Sequence, residues 1–91
     1  MFNRPGFFRV KHNAELGCYT LTSDRLSRPI TVQTTKQVAR MIVTLRWPLI
    51  STNDEEDVVL KLSRHIDIRS DLGEFEYSDR SLEAFGIYLE N

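Results

Sequence analysis

The chain has 91 residues, 41% hydrophobic and 27% charged, which excludes a disordered or fibrous protein and predicts one compact domain over residues 1–91. It contains no apolar run near the ~20 residues of a membrane span and no secretory signal in residues 1–8, so we expect a cytoplasmic protein with no membrane contact. A single cysteine, Cys18, excludes an internal disulfide and provides too few ligands for a structural zinc site.

The net charge of -1 conceals two halves of opposite sign. Residues 1–47 contain eight Lys or Arg against two acids, a charge of +6, and residues 48–91 contain four against eleven, a charge of -7. Such an asymmetry indicates a polyanion-binding surface, a surface for a basic partner, or two halves that attract each other within the fold.

The first predicted elements are three short strands at residues 7–12, 17–22 and 30–33, in which apolar and polar residues alternate. Four residues separate the first two strands, a length typical of a hairpin loop, and Pro29 precedes the third strand. We therefore expect an α+β fold with a small antiparallel sheet, built from an N-terminal hairpin plus a third strand and packed by two to three short helices.

The register of the hairpin follows from its apolar and polar sides. The predicted loop pairs Val10 with Tyr19, and Phe8 with Leu21, on the apolar side. The polar side then carries Arg9, Lys11, Cys18 and Thr20. A slip by one residue would mix the two sides.

Two helices follow the strands. Thr34 and Gln37 have the spacing of a capping box, and apolar residues at helical spacing continue until Pro48, which predicts a helix over residues 35–47. The candidate N-caps of a second helix with an acidic first turn are Ser51, Thr52 and Asn53. The apolar stripe of that helix comprises Val58, Val59, Leu62 and Ile66.

The rest of the chain leaves alternatives open. Alternating apolar residues on either side of Gly73 predict a second hairpin near residues 66–78, and a competing interpretation makes residues 58–69 one long strand. Asp79 is a candidate cap for a short final helix, and a terminal strand competes with that helix over residues 82–89.

Patterns for catalysis or metal binding are weak. Cys18 and His12 are the only nucleophile and base that the sequence brings close, and the predicted register places them on opposite faces of the hairpin. His65 and Asp67 supply too few ligands for a transition metal, and the four glycines are too scattered for a phosphate-binding loop. We therefore expect no enzyme activity, no catalytic residue, no metal and no cofactor.

An acidic set in the second half is a candidate partner-binding face: Asp54, Glu55, Glu56, Asp57, Asp71, Glu74 and Glu76. Carboxylates arranged on one face engage the arginines of a partner or occupy a site for a phosphate backbone. In its length and this acidic set the chain resembles phage-encoded inhibitors of bacterial defence complexes, including anti-CRISPR and anti-restriction proteins, a class that shares no motif. The resemblance implies an inhibitor that occludes a protein or nucleoprotein complex, although the basic first half departs from a pure DNA mimic.

A basic set supports the alternative, a nucleic-acid-binding module: Arg9, Lys11, Arg25, Arg28, Lys36 and Arg40. A sequence pI of about 6.1 and the lack of an RNP-like aromatic motif count against this alternative. Trp47, beside Pro48, is a candidate interface anchor for a partner or for a homodimer. Solvated charge, or pairing of the two halves within the fold, accounts for both charged sets without any partner.

Overall fold

The computed structural model describes residues 6–46 and 54–88 and confirms the predicted α+β class. One layer is an antiparallel sheet of β1 (Phe7–Asn13), β2 (Cys18–Ser23), β3 (Ile30–Val32) and β4 (Glu74–Ser78), in the order β3-β2-β1-β4. The helices α1 (Thr35–Arg46) and α2 (Glu55–Arg69) pack on one face of the sheet. A 3₁₀ turn (Ser70–Leu72) follows α2, and a short helix α3 (Asp79–Leu82) with a second 3₁₀ turn (Glu83–Phe85) follows β4.

The core is one cluster between the sheet and the helices. Phe8, Val10 and Leu21 enter it from the sheet, and Ile42 and Leu62 enter it from α1 and α2, all with no exposed surface. No helix within the described residues is long and apolar enough to cross a membrane.

The predicted hairpin is present, but its predicted register is wrong. Val10 pairs with Leu21 and His12 with Tyr19, a shift of two residues from the prediction. The shift arises because Gly17, at φ +63°, belongs to the turn, a backbone conformation that glycine adopts without a steric penalty. Side chains alternate along a strand with a period of two, so the apolar and polar sides stay as predicted.

The predicted N-terminal cap was correct for α1 and wrong for α2. The capping box of α1 is confirmed, because the backbone N of Thr34 donates to Gln37 Oε1 at 3.0 Å and the backbone N of Gln37 donates to Thr34 Oγ1 at 3.1 Å. The N-cap of α2 is Asp54, whose carboxylate accepts a hydrogen bond from the backbone N of Glu56. The three candidate caps Ser51, Thr52 and Asn53 were wrong for this role, and they lie outside the described residues, as does Trp47.

The predicted second hairpin near residues 66–78 and the alternative strand over residues 58–69 are both wrong. The chain stays helical through Arg69, and β4 pairs with β1 instead, so the sheet has four strands. Ile66 is buried while Ile68 is 71% exposed, so the apparent alternation came from an apolar residue on the outer side of a helix.

The last described segment is helical rather than extended. Ser78, not Asp79, caps α3 through a capping box with Ser81. The terminal strand is absent from the described residues up to Tyr88. The carboxylate of Asp79 is thereby free for contacts with other parts of the fold.

Candidate functional site

The two oppositely charged halves of the chain contact each other through ion pairs. The pairs that join them include Arg9 with Glu76 at 3.1 Å, Arg25 with Asp79 at 2.9 Å, Arg46 with Asp79 at 2.8 Å, Lys36 with Glu56 at 3.3 Å and Arg40 with Glu56 at 2.7 Å. Much of the charge asymmetry is therefore compensated within the fold.

Asp79 is the centre of a buried network. It lies between Arg25 and Arg46, and the side chains of Asp79 and Arg46 are only 13% and 6% exposed. Burial, and then the positive charge of Arg25, lower the pKa of Arg46 below its usual value. The guanidinium of Arg25 also lies 5.7 Å from the centre of the Phe8 ring. A side chain at Gly6 would collide with both Arg25 and Asp79, so this end of the molecule is closely packed.

The acids in the first turn of α2 are also largely engaged. Glu56 accepts from Arg40 at 2.7 Å and contacts Lys36 at 3.3 Å, and hydrogen bonds from these two bases lower the pKa of its carboxyl group. Glu55 lies 3.8 Å from Arg40. Asp57 is exposed and has no ion-pair partner within residues 6–46 and 54–88.

The predicted acidic set does not form one surface. The 15 residues of α2 span about 22 Å and separate its acidic first turn from Asp71 in the 3₁₀ turn. Glu74 and Glu76 face outward from the sheet, on the side opposite the helices, because Phe75 and Tyr77 point inward. Arg9 donates to Glu76 on this outer face at 3.1 Å.

The structure also divides the predicted basic set. Arg9 and Lys11 lie on the outer face of the sheet, Arg25 in the buried network, Arg28 between β2 and β3, and Lys36 and Arg40 on α1. Of these six, only Lys11 and Arg28 lack an ion-pair partner in the part of the chain that the structure describes. The described residues therefore bring together no continuous basic patch from this set.

One end of the molecule exposes aliphatic side chains that the sequence analysis did not single out. Leu16 is 75% exposed, Ile68 71% and Leu72 59%. The β1–β2 loop meets the 3₁₀ turn here, because the backbone N of His12 donates to the carbonyl of Gly73 at 2.6 Å. Large exposed apolar groups on adjacent segments are typical of surfaces that bind a partner.

Carboxylates lie on the same or adjoining segments of the chain as these aliphatic side chains. Glu15, Asp71 and Glu74 are exposed at this end, and none has an ion-pair partner among the described residues. We define the open end by its six residues, Leu16, Ile68, Leu72, Glu15, Asp71 and Glu74. Two of the seven predicted acidic residues, Asp71 and Glu74, thus belong to it.

A sequence signal for the open end did exist. At 100° per residue, Ile68 lies about 200° around the helix axis from Ile66 and therefore on the opposite side from the buried stripe. An apolar residue in that position is typical of a surface contact, whereas we interpreted it as part of a strand.

The described residues also line two clefts. The larger, about 390 Å³, lies between β3 and α1 and is lined by Val32, Met41, Lys36 and Arg40 among others, with both bases directed to Glu56. The smaller, about 320 Å³, lies beside β4 and contains His65. His65 Nδ1 shares a hydrogen bond with the Tyr77 hydroxyl at 2.6 Å, so the two side chains hold each other in place.

The pKa values of Tyr77 and His65, two of the groups that line the smaller cleft, are both shifted towards the neutral form. Burial strongly raises the pKa of Tyr77, so its phenol stays protonated. Burial and then the charge of Arg69 lower the pKa of His65, which favours the neutral imidazole.

The residues considered for catalysis remain apart. His12 stacks on Tyr19 at 4.5 Å, while Cys18 pairs with Asn13, which places the histidine and the cysteine on opposite faces of the hairpin. Within residues 6–46 and 54–88 no group of three or more His, Cys, Asp or Glu is arranged to hold a metal ion.

The chain matches no protein-family model, no curated protein and no solved structure.

Proposed function

We propose that this protein is a non-enzymatic binding protein that inhibits a bacterial protein or nucleoprotein complex by covering a basic surface on it with the open end. The carrying observation is the exposure of Leu16, Ile68 and Leu72 on adjacent segments. Burial of such side chains on association supplies affinity. The carboxylates on the same segments, which have no ion-pair partner among the described residues, select a partner rich in Arg and Lys.

The open end is tied to the rest of the fold before any partner arrives. Besides the bond from its backbone N to Gly73, His12 makes a hydrogen bond through Nδ1 with the carbonyl of Ser70 at 3.0 Å. Asn13 Oδ1 accepts from the backbone N of Leu16 at 3.1 Å and holds the loop. A surface ordered in advance loses less conformational entropy on binding, which favours inhibition by occlusion.

The proposed partner class follows from the charge and from the resemblance to phage-encoded inhibitors of bacterial defence. Anti-CRISPR and anti-restriction proteins of this type act in the bacterial cytoplasm on complexes with basic nucleic-acid channels. Carboxylates at the open end, Asp71 and Glu74 among them, would meet the arginines of such a channel and block access to nucleic acid.

Affinity capture from a bacterial lysate, with and without nuclease, followed by mass spectrometry tests this proposal. We expect the wild type to retain a protein partner that resists nuclease, and the Ile68→Lys and Leu72→Lys variants to lose it. Leu60→Lys is the matched control, since Leu60 is a partly exposed leucine on the same helix, about 12 Å from Ile68.

Retention of the same partner by an Ile68→Lys and Leu72→Lys double variant would contradict binding through the open end. Capture of nucleic acid alone, lost with nuclease and rising salt, would favour the nucleic-acid-binding alternative through Lys11 and Arg28, which make no ion pair within residues 6–46 and 54–88. Capture of the chain's own copies alone would instead show a homodimer.

A further inference from the structure

The cleft beside β4 combines two potential donors on one side of α2. His65 and Arg69 are four residues apart, so they lie one helical turn from each other and both line the cleft of about 320 Å³. Because the tyrosine hydrogen bond occupies Nδ1, the Nε2 atom is the remaining polar atom of the imidazole, and it has no hydrogen-bond partner among the described residues.

Three aromatic rings also line the cleft, those of Phe75, Tyr77 and Phe85. The Tyr77 ring lies 5.7 Å from Phe75 and 6.1 Å from Phe85, centre to centre, with both pairs close to perpendicular. Phe85 also contacts the His65 ring edge-on at 5.1 Å. These mutual contacts fix the ring positions and leave a concave apolar surface of the kind that accepts a flat ring.

The positive charge of Arg69 is not compensated in the part of the chain that the structure describes. Arg69 makes no ion pair there, although it lines the cleft. The one carboxylate among the lining residues belongs to Glu76, and it accepts from Arg9 on the outer face of the sheet. Ser81 contributes no free hydroxyl, because its Oγ bonds both the backbone N and the carbonyl of Ser78.

We propose that this cleft binds a small ligand that carries one carboxylate or phosphate group on a flat apolar ring. Arg69 donates to the oxygens of the anionic group, and its planar guanidinium suits two oxygens at once. The Tyr77 hydroxyl donates to His65 Nδ1, which places the imidazole proton on Nε2 as a further donor to the anion. The ring of the ligand packs against Phe75 and Phe85. This site is separate from the open end and does not depend on the proposed function.

Titration of the ¹⁵N-labelled protein with phenylacetate and with phenyl phosphate, followed by NMR, tests the proposal. We expect saturable shifts of the amides around the cleft, with a Kd of about 1 mM for probes of this size. Arg69→Gln weakens both probes about tenfold or more, since a charged donor is lost. Arg64→Gln is the matched control, an exposed arginine on the same helix outside the cleft, and it leaves binding unchanged.

The two probes and two further ligands separate the sources of binding. Tighter binding of phenyl phosphate identifies a phosphate monoester as the natural chemistry, and tighter binding of phenylacetate identifies a carboxylate. Benzyl alcohol lacks the anion and inorganic phosphate lacks the ring, so each should bind more weakly than the probes. Equal binding of benzyl alcohol, equal binding by Arg69→Gln, or no saturable shift at about 20 mM probe would each overturn the proposal.

Discussion

Charged side chains are paired and largely buried at one end of the molecule, whereas at the other end they are exposed. At the end around Gly6, two arginines enclose the carboxylate of Asp79, and Arg46 is almost entirely buried. At the open end, carboxylates have no ion-pair partner among the described residues, and aliphatic side chains on neighbouring segments are exposed. The charge asymmetry of the sequence therefore has two physical outcomes: at one end opposite charges join distant segments of the chain, and at the other end the carboxylates stay exposed to solvent.

The largest effect is expected at the buried network. Asp79→Asn removes the ion-pair partner of the buried Arg46 and leaves Arg25 with Asp24 alone, and a buried pair that loses one partner costs about 3 kcal/mol. Urea unfolding followed by circular dichroism measures the change. Asp71→Asn at the open end is the control, with an expected change of less than about 0.5 kcal/mol. If Asp79→Asn and Asp71→Asn changed the free energy of unfolding equally, the distinction between the two ends would be wrong.

A smaller loss is expected from Gly6→Ala. The added methyl group collides with the guanidinium of Arg25 and the carboxylate of Asp79, so the ends of both side chains must move and their ion pair is disturbed. Overpacking of this kind costs about 1 to 2 kcal/mol in the free energy of unfolding. Gly17→Asn is the comparison, since nothing lies near a side chain at Gly17 and asparagine tolerates its positive φ. A more stable Gly6→Ala variant would show that this end is loosely packed.

The pH dependence of stability tests the cleft that lies between these ends. The pKa of His65 is lower in the folded protein than in the unfolded chain, where it is about 6.5. The unfolded chain therefore binds more protons below that pH, and the contribution of neutral His65 to stability is lost as the pH falls. Urea unfolding at about pH 7.5 and about pH 5.5 should show a smaller difference for His65→Gln than for the wild type. An equal difference in both proteins would exclude His65 as a source of the pH dependence.

The smallest effect on stability is expected at the open end itself. Leu72→Ser removes a side chain that is 59% exposed, so the free energy of unfolding should change by less than about 0.5 kcal/mol. Leu62→Ala is the internal reference, because that side chain is fully buried and its truncation costs about 3 kcal/mol. Thermal unfolding of the two variants measures both changes. A large loss for Leu72→Ser would show that this leucine belongs to the core.

Local patterns predicted local structure well. The capping box of Thr34 and Gln37 is present, and the two sides of the hairpin carry the expected residues. The register was missed because a shift of two residues leaves every side chain on the same face, so hydrophobic alternation cannot distinguish the two pairings. Only the positive φ of Gly17 decides between them.

Long-range pairing was beyond the sequence patterns. The pairing of β4 with β1 and the antiparallel contact of α1 with α2 bring Arg9 to Glu76 and Arg40 to Glu56. The charge of each half was known from composition, yet which acid meets which base depends on that packing. Hence the acidic set was predicted as one face, while the structure distributes it among a helix start, a sheet face and the open end.

The position of Asp79 in the chain also has a kinetic consequence. The hydrogen bond between Asp79 and Arg25 joins residues 54 positions apart. Asp79 directly follows β4, the last strand in the described part of the chain. Closing so long a loop costs entropy before any contact compensates for it, whereas the hairpin forms between neighbouring segments. We expect the network to form after the folding transition state, so that Asp79 sets how slowly the folded protein opens rather than how fast it folds.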